Sequence, residues 1–193
     1  MKKSILSVRE LCTVGIITAL NAVLAQIAIP LPFTPIPFSL GMMAVFIAGI
    51  LLAPLPALFS QLCYLLLGIV GLPVFGNFTG GLGVFLGPKG GYLMAYPLMA
   101  LVISLAVRWG KQSGAIRVVR TAVAMVLSTF LLLYLLGTLW LCFVMQTGFV
   151  EGLAMAVFPF IPLDMVKIAF CAAVMLPLRD RLAKQGLLGS KTV

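Results

Sequence analysis

Residues 11–29 read LCTVGIITALNAVLAQIAI, and residues 30–37, which follow, read PLPFTPIP. The first stretch carries no charge and matches one helical crossing of a bilayer, whose ~30 Å of hydrocarbon takes ~20 residues. It is too long for the apolar region of a signal peptide and no A-x-A cleavage pattern follows, so it reads as a membrane helix. Pro30, Pro32, Pro35 and Pro37 cannot propagate that helix, so the chain must turn there.

The rest of the chain repeats this theme. Of 193 residues, 63% are hydrophobic and 9% charged, and the mean hydropathy is +1.23. Soluble domains carry roughly 45–50% apolar and about 25% charged residues, so a soluble enzyme is excluded. Apolar runs cover 38–53, 55–72, 92–107, 121–148 and 162–178, giving six expected spans with the first at 11–29. The second and third are separated only by a tight turn at Pro54-Leu55-Pro56. Six crossings use ~120 residues and leave no room for a soluble domain. The expected fold is therefore all-α: a single six-transmembrane-helix bundle over residues 1–193, with irregular outward loops.

Basic residues orient the bundle. Six spans place Lys2, Lys3, Arg9, Arg108, Lys111, Arg117, Arg120, Arg179, Arg181, Lys184 and Lys191 on one side, with only Lys89 opposite and Lys167 inside the last span. The positive-inside rule then puts both termini in the cytoplasm of a cell-membrane protein. The net charge of +9 follows from topology and calls for no nucleic-acid partner.

Several chemistries lack their residues. There is no His, and the acids are Glu10, Glu151, Asp164 and Asp180, too few for a metal cage or a carboxylate relay. Cys12, Cys63, Cys142 and Cys171 stand singly in apolar runs and read as packing residues. No P-loop occurs, so ATP-driven transport would need another polypeptide to hydrolyse the nucleotide. Neither catalysis, metal nor cofactor is expected.

The outward side combines scarce charge with irregular backbone: the proline loop 30–37, the glycine-rich segment 73–91 and the entry to the last helix, 158–167. Irregular backbone at membrane depth is tolerated only inside protein or around a cavity, so their clustering predicts a lidded binding site. Asp164 and Lys167 are the sharpest feature. Ionisable groups in an apolar helix face the interior and mark function, and an i,i+3 spacing lets the two meet. Opposite charges suit a small ligand with N–H donors at one end and a carboxylate at the other. Gly15 with Ala19, and Thr18 with Ala22, form small-xxx-small pairs that permit close helix approach.

The run Pro30–Phe38, then LGIVGLPVF at 67–75, then GGLGVFLGPKGGYL at 80–93, resembles the BioY family. These are the biotin-specific, membrane-embedded substrate-binding (S) components of energy-coupling factor (ECF) transporters. The resemblance implies a six-helix bundle that captures biotin from outside and needs no cofactor. It implies docking on a transmembrane coupling protein driven by two cytoplasmic ATPases, through a first-helix pattern that here is Gly15-x-x-x-Ala19. It also implies that Asp164 and Lys167, in a last-helix D-x-x-K pattern, belong to the biotin site beneath the first and third loops. Phe33 from the first of these, and Asn77, Gly81, Gly83, Gly91 and Tyr92 from the third, are the further expected contacts. Asp164 would take a ureido N–H, and Lys167 the carboxylate. Lys89 stands where the family often has a small polar residue. Rival readings are an S component or facilitator for another vitamin, and a membrane enzyme or scaffold subunit without ligand.

Overall fold

The computed structural model describes residues 6–32, 34–109 and 114–186, so Phe33, Lys111 and the terminal lysines lie outside the described residues. Helix α1 (Val8–Gln26) opens on a capping box, in which Ser7 and Glu10 satisfy each other's first-turn amides. It ends three residues before the expected Ile29. Ala28–Ile29 (β1) pairs antiparallel with Phe38–Ser39 (β2), which makes the proline segment the loop of a short hairpin.

That hairpin delays α2 (Gly41–Leu51), a rod of 11 residues where residues 38–53 were expected. At 1.5 Å per residue it rises about 16 Å, roughly half the hydrocarbon thickness. Helix α3 (Pro54–Ile69) starts on the prolines read as a turn. Pro54 occupies the first helical position, where a missing N–H costs nothing. The glycine segment holds a one-turn helix, α4 (Leu82–Leu86), and α5 (Gly90–Arg108) begins inside it.

Helices α6 (Ala115–Ser128) and α7 (Leu135–Met145) form one 31-residue rod through a π-helical turn at Thr129–Tyr134. Ser128 and Thr129 both donate their hydroxyls to the Met125 carbonyl, the back-bonding that disturbs a helical ladder. A further short helix, α8 (Phe149–Ala156), lies between the fifth and sixth expected spans. Helix α9 (Ile161–Lys184) continues through Pro177 to Lys184, beyond the expected Leu178. Among the described residues, α1, α5, the α6–α7 rod and α9 are long and apolar enough to cross a membrane, whereas α2 and α3 are shorter apolar helices.

Helices α2 and α5 pack together at the centre, with α1 and α3 on one side and α6, α7 and α9 on the other. Phe46, Ile50, Met99 and Ile103 fill the core between them. Arg108, at the end of α5, donates to the carbonyls of Leu51 and Ser104, which fixes the α2–α3 turn at that end. The hairpin, the glycine segment and the entry to α9 gather at the opposite end.

Candidate functional site

Asp164 enters the bundle in the first turn of α9, and Lys167 follows one turn later. Both are buried, at 4% and 6% exposure. Lys167 Nζ lies 2.9 Å from Asp164 Oδ1, donates to the Ser39 carbonyl at 2.8 Å, and sits 4.0 Å from the centre of the Phe38 ring. The lysine thereby fastens β2 to α9. Tyr134 donates to Asp164 Oδ2 at 2.6 Å. Each carboxylate oxygen has spent one lone pair, so Asp164 can still accept from a ligand.

This network forms one wall of a cavity of about 70 Å³, enclosed also by Ile36, Pro37, Met42, Tyr92, Tyr96, Leu133, Ala156 and Phe160. A second space of about 60 Å³ adjoins it across the shared residues Ile36, Pro37, Ser39, Tyr92 and Tyr96. Its far wall is Ala25, Tyr64, Phe75, Gly76 and Lys89. Lys89 makes no hydrogen bond or ion pair among the described residues, and half-burial lowers its pKa below the ordinary lysine value. Tyr96 stacks on Tyr64 with 6.4 Å between ring centres, and its hydroxyl has no hydrogen-bond partner among the described residues.

Of the residues expected at the site, the structure gathers Asp164, Lys167 and Tyr92 around the cavity. Phe33 lies outside the described residues. Asn77 occupies the tip of a tight hairpin closed by Phe75 and Thr79; it and Phe78 both have positive φ, a conformation Asn tolerates. Gln26 holds this tip, accepting from the Phe78 amide and donating to the Pro73 and Val74 carbonyls. Gly81 precedes α4 with φ +97° and gives its N–H to the Gly68 carbonyl at 2.7 Å. A side chain at Gly83 would meet open space. Asn77, Gly81 and Gly83 do not line the cavity.

Gly91 has a packing role. A Cβ there would stand 2.4 Å from Trp140 Cβ and 2.8 Å from the Leu136 carbonyl, so the α5–α7 contact depends on its absence. Gly91→Ala should lower stability by about 1–3 kcal/mol, the usual cost of overpacking, while the folded fraction keeps its ligand affinity. Thermal unfolding with a ligand titration checks this; unchanged stability would return Gly91 to the site.

Sequence reasoning missed Tyr134, Tyr64 and Ser39. A lone tyrosine in the apolar run 129–137 is a signal for Tyr134, but the π-helical turn that aims it is not visible in composition.

A model of the BioY family matches residues 1–184. The probable biotin transporter BioY of Pyrococcus horikoshii is 34% identical over 161 residues, covering 83% of this chain and 90% of that protein. The biotin transporter BioY of Thermotoga maritima is 36% identical over 171 residues, 89% of this chain and 96% of that one. The crystal structure of the S-component for biotin from an ECF-type ABC transporter aligns with a TM-score of 0.80 at 27% identity, covering 90% and 92% of the two chains. Family match, relatives and fold agree: the chain belongs to the BioY family, as a transport component of the membrane and not an enzyme.

Proposed function

We propose that the chain captures biotin from outside the cell for an ECF-type transporter, as its relatives' names suggest. The observation that carries this reading is the pair of adjoining, mostly apolar spaces with a hydrogen-bonded buried carboxylate at one end and, at the other, a lysine without a partner among the described residues. A mostly apolar pocket with few placed polar groups is the usual design for small ligands. Asp164 accepts a ureido N–H, Tyr96 offers its free hydroxyl to the ureido oxygen, and the thiophane ring lies among Ile36, Pro37 and Tyr92. The carboxylate goes to Lys89. This departs from the expectation for Lys167, whose ammonium is already engaged by Asp164, Ser39 and Phe38. Asn77, Gly81 and Gly83 act by shaping the glycine-rich loop, and Phe33 contacts biotin from the first loop.

The two spaces are small beside the ~300–1,000 Å³ of ligand pockets. Ile36 and Pro37, which wall both, move outward to admit ligand. Equilibrium binding of labelled biotin to the purified protein tests the reading. Saturable binding displaced by unlabelled biotin supports it; none, with another vitamin raising the melting temperature instead, favours the alternative S component.

In this reading the chain is one domain with six crossings of the plasma membrane and both termini in the cytoplasm, where a coupling protein and two ATPases meet it. Gly15 and Ala19 lie on the exposed face of α1, and a side chain at Gly15 would meet nothing within 4 Å. Gly15→Leu should therefore fold normally and bind biotin as wild type, yet uptake should fall, roughly halved or worse, because a close helix contact cannot absorb leucine. Assays of uptake in cells and binding in detergent check it; equal loss of both would place this face inside the bundle.

A further inference from the structure

At the end of the bundle opposite the cavity, four arginines converge on little negative charge. Arg179, near the end of α9, is 6% exposed and makes no hydrogen bond among the described residues. It lies within electrostatic reach of Arg108, Arg117 and Asp180. Arg117 pairs with Asp180. Arg120 is one turn further along α6, on the face of Arg117. Among the described residues, buried guanidinium N–H groups without a partner remain on all four arginines: Nε of each, and Nη2 of Arg120.

Positive-inside residues normally stand in water, where their charge costs nothing. Here like charges are brought together and partly desolvated, an arrangement that is unfavourable unless an anion completes it. We infer that Arg108, Arg117, Arg120 and Arg179 form a site for a phosphate-bearing anion, occupied by the phosphodiester of an anionic lipid headgroup. Guanidinium forks match phosphate oxygens in pairs, and basic pockets between helices at the cytoplasmic interface suit such headgroups. A lipid is favoured over free phosphate because the same helices continue into the bilayer with exposed apolar residues: Val119 and Val123 on α6, Val174 and Leu178 on α9. These offer a surface for the acyl chains.

The test is thermal unfolding of the purified full chain in detergent with added phosphatidylglycerol, with phosphatidylcholine of the same chains, or with inorganic phosphate alone. Phosphatidylglycerol should raise the melting temperature by roughly 5–10 °C more than phosphatidylcholine does, the size expected for a ligand well above its dissociation constant. Arg120→Gln, at a partly buried position, should lose most of that difference; Arg179→Gln should lose all of it if it folds. Equal shifts with both lipids, or a full phosphatidylglycerol shift in Arg120→Gln, would overturn the site. The full shift with inorganic phosphate alone would overturn the lipid as its occupant.

Discussion

Asp164→Asn should weaken biotin binding by roughly one to two orders of magnitude. A hydrogen bond to a charged acceptor contributes about 1.5–3 kcal/mol, and each 1.4 kcal/mol is a factor of ten. The amide keeps the shape but offers one acceptor where the carboxylate has two, and the Tyr134 hydroxyl and Lys167 already compete for acceptors. The same change leaves the Lys167 ammonium buried against Ser39 and Phe38 without a counter-charge, which costs about 3–5 kcal/mol of stability. Affinity and stability must therefore be separated. The variant Asp164→Asn with Lys167→Gln removes both charges and should recover stability. If Asp164 touches the ligand, affinity stays low in that double variant. Wild-type binding by a normally folded double variant would make the pair purely structural. Tyr134→Phe provides a second check: it removes one donor from Asp164 Oδ2 and should cost only about 1 kcal/mol.

What the sequence made legible, and what it did not, divides along physical lines. Asp164 and Lys167 stood out because a charge in an apolar helix has few permissible surroundings, and the structure shows those surroundings. The proline loop was legible because proline removes donors and fixes φ wherever it occurs. By contrast, Pro54 was read as part of a turn between two spans, yet it begins a helix. Local propensity does not state whether neighbouring helices will satisfy the freed carbonyls. Gly91 was given to the ligand because glycine lets backbone approach closely; what approaches is Trp140, a residue 49 positions away that periodicity cannot pair with it. Tyr134 needed both the π-helical turn and the packing of the rod beside α9 before its hydroxyl could be placed on Asp164. The charges were legible singly. Their partners required the fold.

Lys89→Gln should lower the affinity for biotin roughly tenfold and leave that for biotin amide almost unchanged. Lys89 is the one charged residue lining its end of the cavity, among the described residues, and it stands at the N-terminus of α5, where backbone dipoles also favour an anion. Because the side chain is half-exposed, its pairing with a carboxylate is screened and contributes less than a buried pair would, about 1–1.5 kcal/mol. The pH dependence has a definite sign. Half-burial lowers the pKa of Lys89, so this lysine sheds its proton at lower pH than a solvated one. Affinity for biotin is full while Lys89 is protonated and falls as the pH rises through that lowered pKa. Biotin amide, with no carboxylate to lose its partner, should bind with a flat profile over the same range. Titration of both ligands from neutral to alkaline pH, in wild type and Lys89→Gln, separates the readings. Parallel falls for acid and amide would mean that alkaline pH loosens the protein as a whole. A fall for the acid that persists in Lys89→Gln would return the carboxylate to Lys167, whose ammonium would then have to leave Ser39 or Asp164 to receive it.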